Sequence, residues 1–123
     1  MDIPTKNNRK ILVTQALPYA NAPLHLGHIL EAVQTDIWTR FQNLNGNECH
    51  FFCADDTHGT PVMLKANEMG ITPEKLIEDV YQDHKSTYEL YDINFANFYS
   101  THSDENKKYS EKNYHYVSNV IKP

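Results

Sequence analysis

Two histidines three residues apart, His25 and His28, lie between a Pro-rich bend and a predicted amphipathic helix. A strand that ends in such a bend brings the unpaired N–H groups and the positive dipole end of the following helix to one place. At helical spacing both imidazoles can donate hydrogen bonds to the same anion, although such a pair by itself also suits a solvent-facing cap. Gly27 has no side chain to keep a flat ligand ring away from the backbone. The arrangement predicts a phosphate site that suits a nucleoside triphosphate.

The elements around this bend predict a parallel β-α-β unit. Lys10 to Gln15 is apolar at consecutive positions, which is typical of a strand covered on both faces. Residues 16–27 form the bend, a helix runs from about Gly27 to Leu44, and a second strand runs from Glu48 to Ala54. A strand, a helix and a strand in this order favour a right-handed crossover.

Three helices and one strand follow. The predicted helices run from Thr60 to Met69, from Pro73 to about Tyr91 and from Ser103 to about Val120, and the predicted strand runs from Phe95 to Tyr99. The whole predicts an α/β fold, the N-terminal half of a Rossmann-like doubly wound parallel sheet, with residues 1–9 flexible and 10–123 in one unit. In such a sheet the ligand lies beyond the carboxyl ends of the strands.

Two apolar stripes are expected to face the core. In the first helix the stripe consists of Leu30, Val33, Ile37, Phe41 and Leu44, with Trp38 beside it. In the helix from Pro73 it consists of Ile77, Tyr81, His84, Tyr88 and Tyr91.

Composition excludes several classes of protein. The 123 residues are 40% hydrophobic and 22% charged, and no apolar stretch approaches the roughly 20 residues of a membrane span. The N-terminus has no apolar signal region, which makes secretion an unfavourable interpretation. Cys49 and Cys53 are about 13 Å apart in an extended strand, beyond disulfide reach. Reduced thiols in the cytoplasm are expected.

Three stretches resemble the methionyl type of class I aminoacyl-tRNA synthetases. They run from Ala16 to His28, with the signature His-Leu-Gly-His, from Cys53 to Pro61, and from Tyr99 to Asn106. The resemblance implies activation of methionine by ATP with Mg²⁺, with His25 and His28 as catalytic residues and His25, Gly27 and His28 at the ATP. It also implies that Asp56 binds the substrate ammonium beside the Leu17 backbone, and that the side-chain pocket is lined by Ala16, Leu17, Tyr19 and, with a weaker match, Tyr99.

The chemistry of the residues agrees with two of these roles. An ammonium group removed from water requires an opposite charge, as Asp56 would supply. Because neighbouring residues of a strand point to opposite faces, only one of Asp55 and Asp56 can face the ligand, and the other is expected to cap a helix or to lie in solvent. A metal site built from these aspartates with His25 and His58 is disfavoured, because no zinc spacing is present.

Parts of the resembled family are missing from the sequence. It lacks the Lys-Met-Ser-Lys-Ser loop, the connective domain that often holds zinc, and the anticodon-binding domain. The chain is therefore expected to be the first part of the catalytic domain, ending near the connective insertion. Because its net charge is -5, most tRNA binding is expected elsewhere. A small stand-alone nucleotidyltransferase and an inactive nucleotide-binding remnant remain as alternatives.

Overall fold

The computed structural model describes residues 9–120 and contains a parallel sheet with four helices. The sheet is formed by β1 (Lys10–Thr14), β2 (Glu48–Asp55) and β3 (Asn97–Ser100), in that order across the sheet. The helices are α1 (Leu26–Leu44), α2 (Thr60–Met69), α3 (Pro73–Leu90) and α4 (Asp104–Val120). The predicted order and type of the elements are confirmed, with boundaries shifted by a few residues.

Both pairs of neighbouring strands are parallel, and their register is given by the residues that lie opposite one another. Val13 pairs with Phe51, and Cys53 pairs with Phe98. Of the N-terminal segment predicted to be flexible, residues 1–8 lie outside the described residues. Arg9 is not frayed, because its carbonyl accepts a hydrogen bond from the Glu48 N–H at 2.8 Å and its N–H donates to the Asn47 side chain.

Helices α1 and α3 pack together over one face of the sheet. Tyr88 of α3 contacts Ile29 and Ala32 of α1 in one buried cluster, against which Phe95 and Phe98 pack. The opposite face carries exposed side chains, among them Leu12 at 72%. The first strand has the apolar pattern typical of a strand covered on both faces, but here it is half-buried on one face, exposed on the other, and lies at the edge of the sheet.

Helix α1 buries a different stripe from the one predicted. The residues that turn towards the sheet are Ile29, Ala32, Asp36 and Thr39. Four of the five predicted positions are exposed: Leu30, Ile37, Phe41 and Leu44. Trp38 is 44% exposed rather than part of the core. The small side chain of Ala32 allows the helix to approach the sheet closely. The buried Asp36 accepts hydrogen bonds from Arg40 and from the Asn94 N–H, so its carboxylate is paired although it lies on the inner face of the helix.

The remaining helices begin and end close to the predicted residues. Thr72 caps α3 by accepting a hydrogen bond from the Lys75 N–H. The inner stripe of α3 is confirmed except for Tyr91, which is 51% exposed because it follows the last helical residue. The N-cap of α2 is Gly59 rather than Thr60. Gly59 has φ of +116°, and a Cβ there would lie 2.7 Å from the Tyr19 hydroxyl, so a side chain does not fit.

The two cysteines are free and buried. Burial raises the pKa of the Cys53 thiol to about 12, so this thiol stays protonated and packs as an apolar group. None of the helices within residues 9–120 combines the length and apolarity of a bilayer span.

Candidate active site

His25 is the N-cap of α1, and its side chain binds the first turn of the helix. Its Nδ1 accepts hydrogen bonds from the N–H groups of Gly27 at 3.1 Å and His28 at 3.4 Å. In return, the His28 Nδ1 accepts one from the His25 N–H at 3.3 Å, which completes a capping box. The expectation that the first-turn N–H groups stay unpaired is therefore wrong for Gly27 and His28.

The two imidazoles lie in parallel, with their ring centroids 3.7 Å apart and their planes at 15°. Because each Nδ1 accepts a hydrogen bond, each neutral ring carries its hydrogen on Nε2. Neither Nε2 has a hydrogen-bond partner among residues 9–120. Burial lowers the pKa of His28, and the charges of His25 and His84 lower it further. The pair thus offers two adjacent Nε2–H donors at the helix N-terminus.

Gly27 makes room for the cap. An added Cβ would lie 2.9 Å from Cε1 and 3.0 Å from Nδ1 of His25, closer than side chains normally approach. The small residue between the histidines is required by the His25 ring itself, which sequence reasoning missed. The spacing was visible in the sequence, but the rotamer of His25 was not.

Asp55 and Asp56 point to opposite faces of the sheet, as predicted. Asp55 is fully buried on the helix side, where it contacts His84. Asp56 is partly exposed, and its backbone forms a short parallel bridge with Tyr19. In this bridge the Asp56 N–H donates to the Pro18 carbonyl and the Ala20 N–H donates to the Asp56 carbonyl, both at 2.8 Å. The expectation that the aspartate facing away from the ligand caps a helix or lies in solvent is wrong, because Asp55 is buried against His84.

Leu17 and Tyr99 line one cavity of about 370 Å³ on the open face of the sheet. Ala54 and Tyr109 of α4 also line it. The size lies within the range of small-molecule pockets. Two other predicted pocket residues lie elsewhere: the Ala16 N–H donates to Glu31 at 2.9 Å, and the Tyr19 hydroxyl donates to the His58 carbonyl at 2.6 Å.

Several polar contacts near the strand ends were not anticipated. Thr57 and Thr101 join the ends of β2 and β3, with their hydroxyl oxygens 2.8 Å apart. His58 and His102 lie nearby with ring nitrogens 3.4 Å apart. No group of three or more His, Cys, Asp or Glu within residues 9–120 is arranged to hold a metal ion.

His84 was predicted as packing surface in α3, but its two ring nitrogens each have a polar partner, Asp55 and Ala22. A histidine inside an apolar stripe is the only signal of this contact in the sequence, because a buried imidazole needs partners. Its partners are distant along the chain, so no spacing rule could have named them.

Comparison with known proteins agrees with this geometry. A methionine–tRNA ligase of Leptospira biflexa serovar Patoc is 60% identical over 107 residues, which cover 87% of this chain and 16% of the relative. A Mycobacterium tuberculosis methionyl-tRNA synthetase in complex with methionyl-adenylate superposes with a TM-score of 0.76 at 28% identity, covering 80% of this chain and 19% of that one. The Agrobacterium radiobacter K84 agnB2 LeuRS, solved with tRNA and LeuAMS, superposes with a TM-score of 0.73 at 25% identity, covering 82% and 13%.

These superpositions match the three-stranded parallel sheet and its helices to the Rossmann-like catalytic domain of class I synthetases. The chain spans about a sixth of the length of the curated relative. The family described as tRNA synthetases class I (M) matches residues 11–121, nearly the whole chain. A match of that extent, with the histidine pair capping α1 at the strand ends, shows that the chain belongs to the class I tRNA synthetases of this methionyl type.

Proposed function

We propose that this chain forms the ATP- and methionine-binding portion of a methionine–tRNA ligase located in the cytoplasm. The observation that carries the proposal is the stacked pair of His25 and His28, whose two Nε2–H donors lie at the N-terminus of α1. Asp56 lies at the end of the adjacent strand, where class I sheets bind ligands. Donors and carboxylate together suit a substrate that has both phosphate and ammonium groups.

The reaction that this site would support is adenylate formation. An oxygen of the methionine carboxylate attacks the α-phosphorus of ATP, the bond to the bridging oxygen breaks, and pyrophosphate leaves with its electron pair. No protein nucleophile is required, so catalysis depends on positioning and on stabilising charge on the phosphate oxygens. His25 and His28 are suited to this because their rings are already held by the capping box and need no rearrangement. Mg²⁺ would arrive with ATP and neutralise phosphate charge.

Methionine is expected to bind between Asp56 and the open cavity. The Asp56 side chain makes no hydrogen bond within residues 9–120, so its carboxylate is available to an ammonium group. Leu17 and Tyr99 offer an apolar wall for the thioether in the same region. Ala16 and Tyr19, in the β1–α1 loop (residues 15–25), do not line that cavity, so the resemblance alone supports their place at the substrate. The net charge of -5 supports the proposal that most tRNA contact lies outside this chain.

The test uses a chimaeric enzyme, because the chain spans 16% of the length of the Leptospira ligase. The aligned segment of that ligase is replaced by this chain, and methionine-dependent ATP–pyrophosphate exchange is measured. We expect exchange with the parent chimaera. His28→Ala should lower kcat about 100-fold with little change in the KM for methionine, because an anion-stabilising donor is typically worth roughly 3 kcal/mol in the transition state.

Asp56→Asn should have the opposite effect, a large rise in the KM for methionine. His50→Ala is the matched control, since His50 is an exposed histidine on β2 that binds Glu48 away from the site. An inactive parent chimaera that folds and binds tRNA would contradict the proposed function. A His28→Ala enzyme that turns over as fast as the His50→Ala control would contradict the role of the histidine pair.

A further inference from the structure

His84 connects three separate parts of the fold. It lies in α3 with 1% of its surface exposed. Its Nδ1 lies 2.8 Å from Oδ1 of Asp55 at the end of β2. Its Nε2 lies 2.8 Å from the carbonyl oxygen of Ala22 in the β1–α1 loop. The imidazole therefore bridges a helix, a strand end and the loop that leads into His25.

The proton positions in this bridge follow from its partners. A carbonyl oxygen can only accept, so Nε2 carries a hydrogen and donates it to Ala22. One further proton lies between Nδ1 and the Asp55 carboxylate. Burial raises the pKa of Asp55, whereas in His84 the hydrogen bond and charge of Asp55 raise the pKa despite burial. Both directions favour keeping that proton on the pair, while Nε2 donates its own hydrogen to the Ala22 carbonyl.

The two halves of the β1–α1 loop are anchored differently. The half that contains Pro18 and Ala20 is hydrogen-bonded to the backbone of Asp56. Within residues 9–120, the half from Asn21 to Leu24 receives a single hydrogen bond from outside the loop, the one from His84 to Ala22. Ala22 is three residues before the His25 cap, so this bond acts on the segment that determines where the histidine pair lies.

We infer that His84, held by Asp55, is a positioning residue for adenylate formation: through Ala22 it sets the place of His25 and His28 relative to Asp56. The inference rests on the proposed function. Because Asp56 is joined to the other half of the loop, loss of the His84 bond should disturb the phosphate donors more than the methionine site. A displacement of about 1 Å at reacting groups can cost up to roughly 100-fold in rate.

The test compares three variants in the chimaeric ligase described above, after titration of active sites by the adenylate formed per enzyme. His84→Phe keeps a ring of similar size but removes both hydrogen bonds. Asp55→Asn keeps them, because its amide can donate to a neutral Nδ1 while Nε2 still donates to Ala22. Asp36→Asn is the control, since it perturbs a buried hydrogen-bonded carboxylate in the middle of α1, which contacts neither His84 nor the β1–α1 loop.

We expect His84→Phe to lower kcat per active site roughly 10- to 100-fold with the methionine KM changed less than about threefold. Asp55→Asn should keep kcat within about threefold of the parent, and Asp36→Asn should lower the active fraction but not kcat per site. The inference is overturned if His84→Phe lowers only the active fraction, or if its methionine KM rises as much as kcat falls. An inactive parent would instead refute the proposed function.

If His84→Phe does not fold in the chimaera, Asp55→Leu provides the second variant, because it releases His84 without removing the ring. In the ¹⁵N-labelled 123-residue chain, Asp55→Leu should shift the backbone amides of residues 21–28 more than those of residues 16–20. Equal shifts in both halves of the loop would contradict a specific link through Ala22.

Discussion

Replacing Gly27 by alanine should lower the rate of adenylate formation strongly while changing the free energy of unfolding little. The new Cβ would lie 2.9 Å from Cε1 and 3.0 Å from Nδ1 of the His25 ring, so the ring has to move. Once it moves, the N–H groups of Gly27 and His28 lose their acceptor, and the parallel contact with the His28 ring at 3.7 Å is broken. The substitution therefore acts through His25 without changing that residue.

Two opposing effects determine the change in stability. Loss of an N-cap hydrogen bond costs about 1 kcal/mol. Alanine in place of glycine in a helix contributes up to about 1 kcal/mol in the other direction. The free energy of unfolding should therefore change by less than about 1 kcal/mol. The rate of adenylate formation should nevertheless fall about 100-fold, because a displaced donor no longer stabilises the phosphate charge.

The assay is a double-mutant cycle of Gly27→Ala and His25→Ala. Urea unfolding of the 123-residue chain gives the free energy of unfolding for all four proteins, and exchange in the chimaeric ligase gives kcat. Without the His25 ring the Cβ meets no obstacle, so in that background Gly27→Ala should stabilise the chain by up to about 1 kcal/mol. The reasoning is refuted if Gly27→Ala changes stability equally with and without the ring, or if it leaves kcat unchanged.

Two further predictions concern the whole chain. Asp55 outweighs the effect of burial and raises the pKa of His84 above 6.5, so the folded state keeps a proton that the unfolded state has lost, and the contribution of His84 to stability should fall as the pH rises above 6.5. In Asp55→Asn the buried His84 is neutral, so the slope of stability against pH, measured by urea unfolding near pH 6.5, should be more positive than in the unaltered chain; equal slopes would contradict the pairing. Leu12 is 72% exposed on the edge strand, so the chain should associate with increasing concentration, and Leu12→Lys should reduce this. Sedimentation velocity at several concentrations tests this association, and an unaltered chain that stays a monomer throughout would disprove it.

Local patterns in the sequence predicted the elements and the location of the site. Helix α3 begins at the proline after Thr72, and helix α2 ends at the glycine after Met69, as expected. These ends were predictable because capping depends on a few neighbouring residues. The parallel order of β1 and β2 followed from the intervening helix. The opposite faces of Asp55 and Asp56 followed from the two-residue period of a strand. Each of these properties is determined within a few residues of the chain.

Other features were decided by contacts between distant residues. The sequence of α1 contains two neighbouring helical stripes, and the more apolar one is exposed because Ala32 and the hydrogen-bonded Asp36 fit against the sheet. In the sequence, His84 is one more member of an apolar stripe. Only the folded chain brings Asp55 and Ala22 to its two ring nitrogens. Residue types and spacing therefore determined which groups can do chemistry. The tertiary structure alone decided what each group contacts, because the register of the sheet and the packing of α3 are not encoded in any short segment.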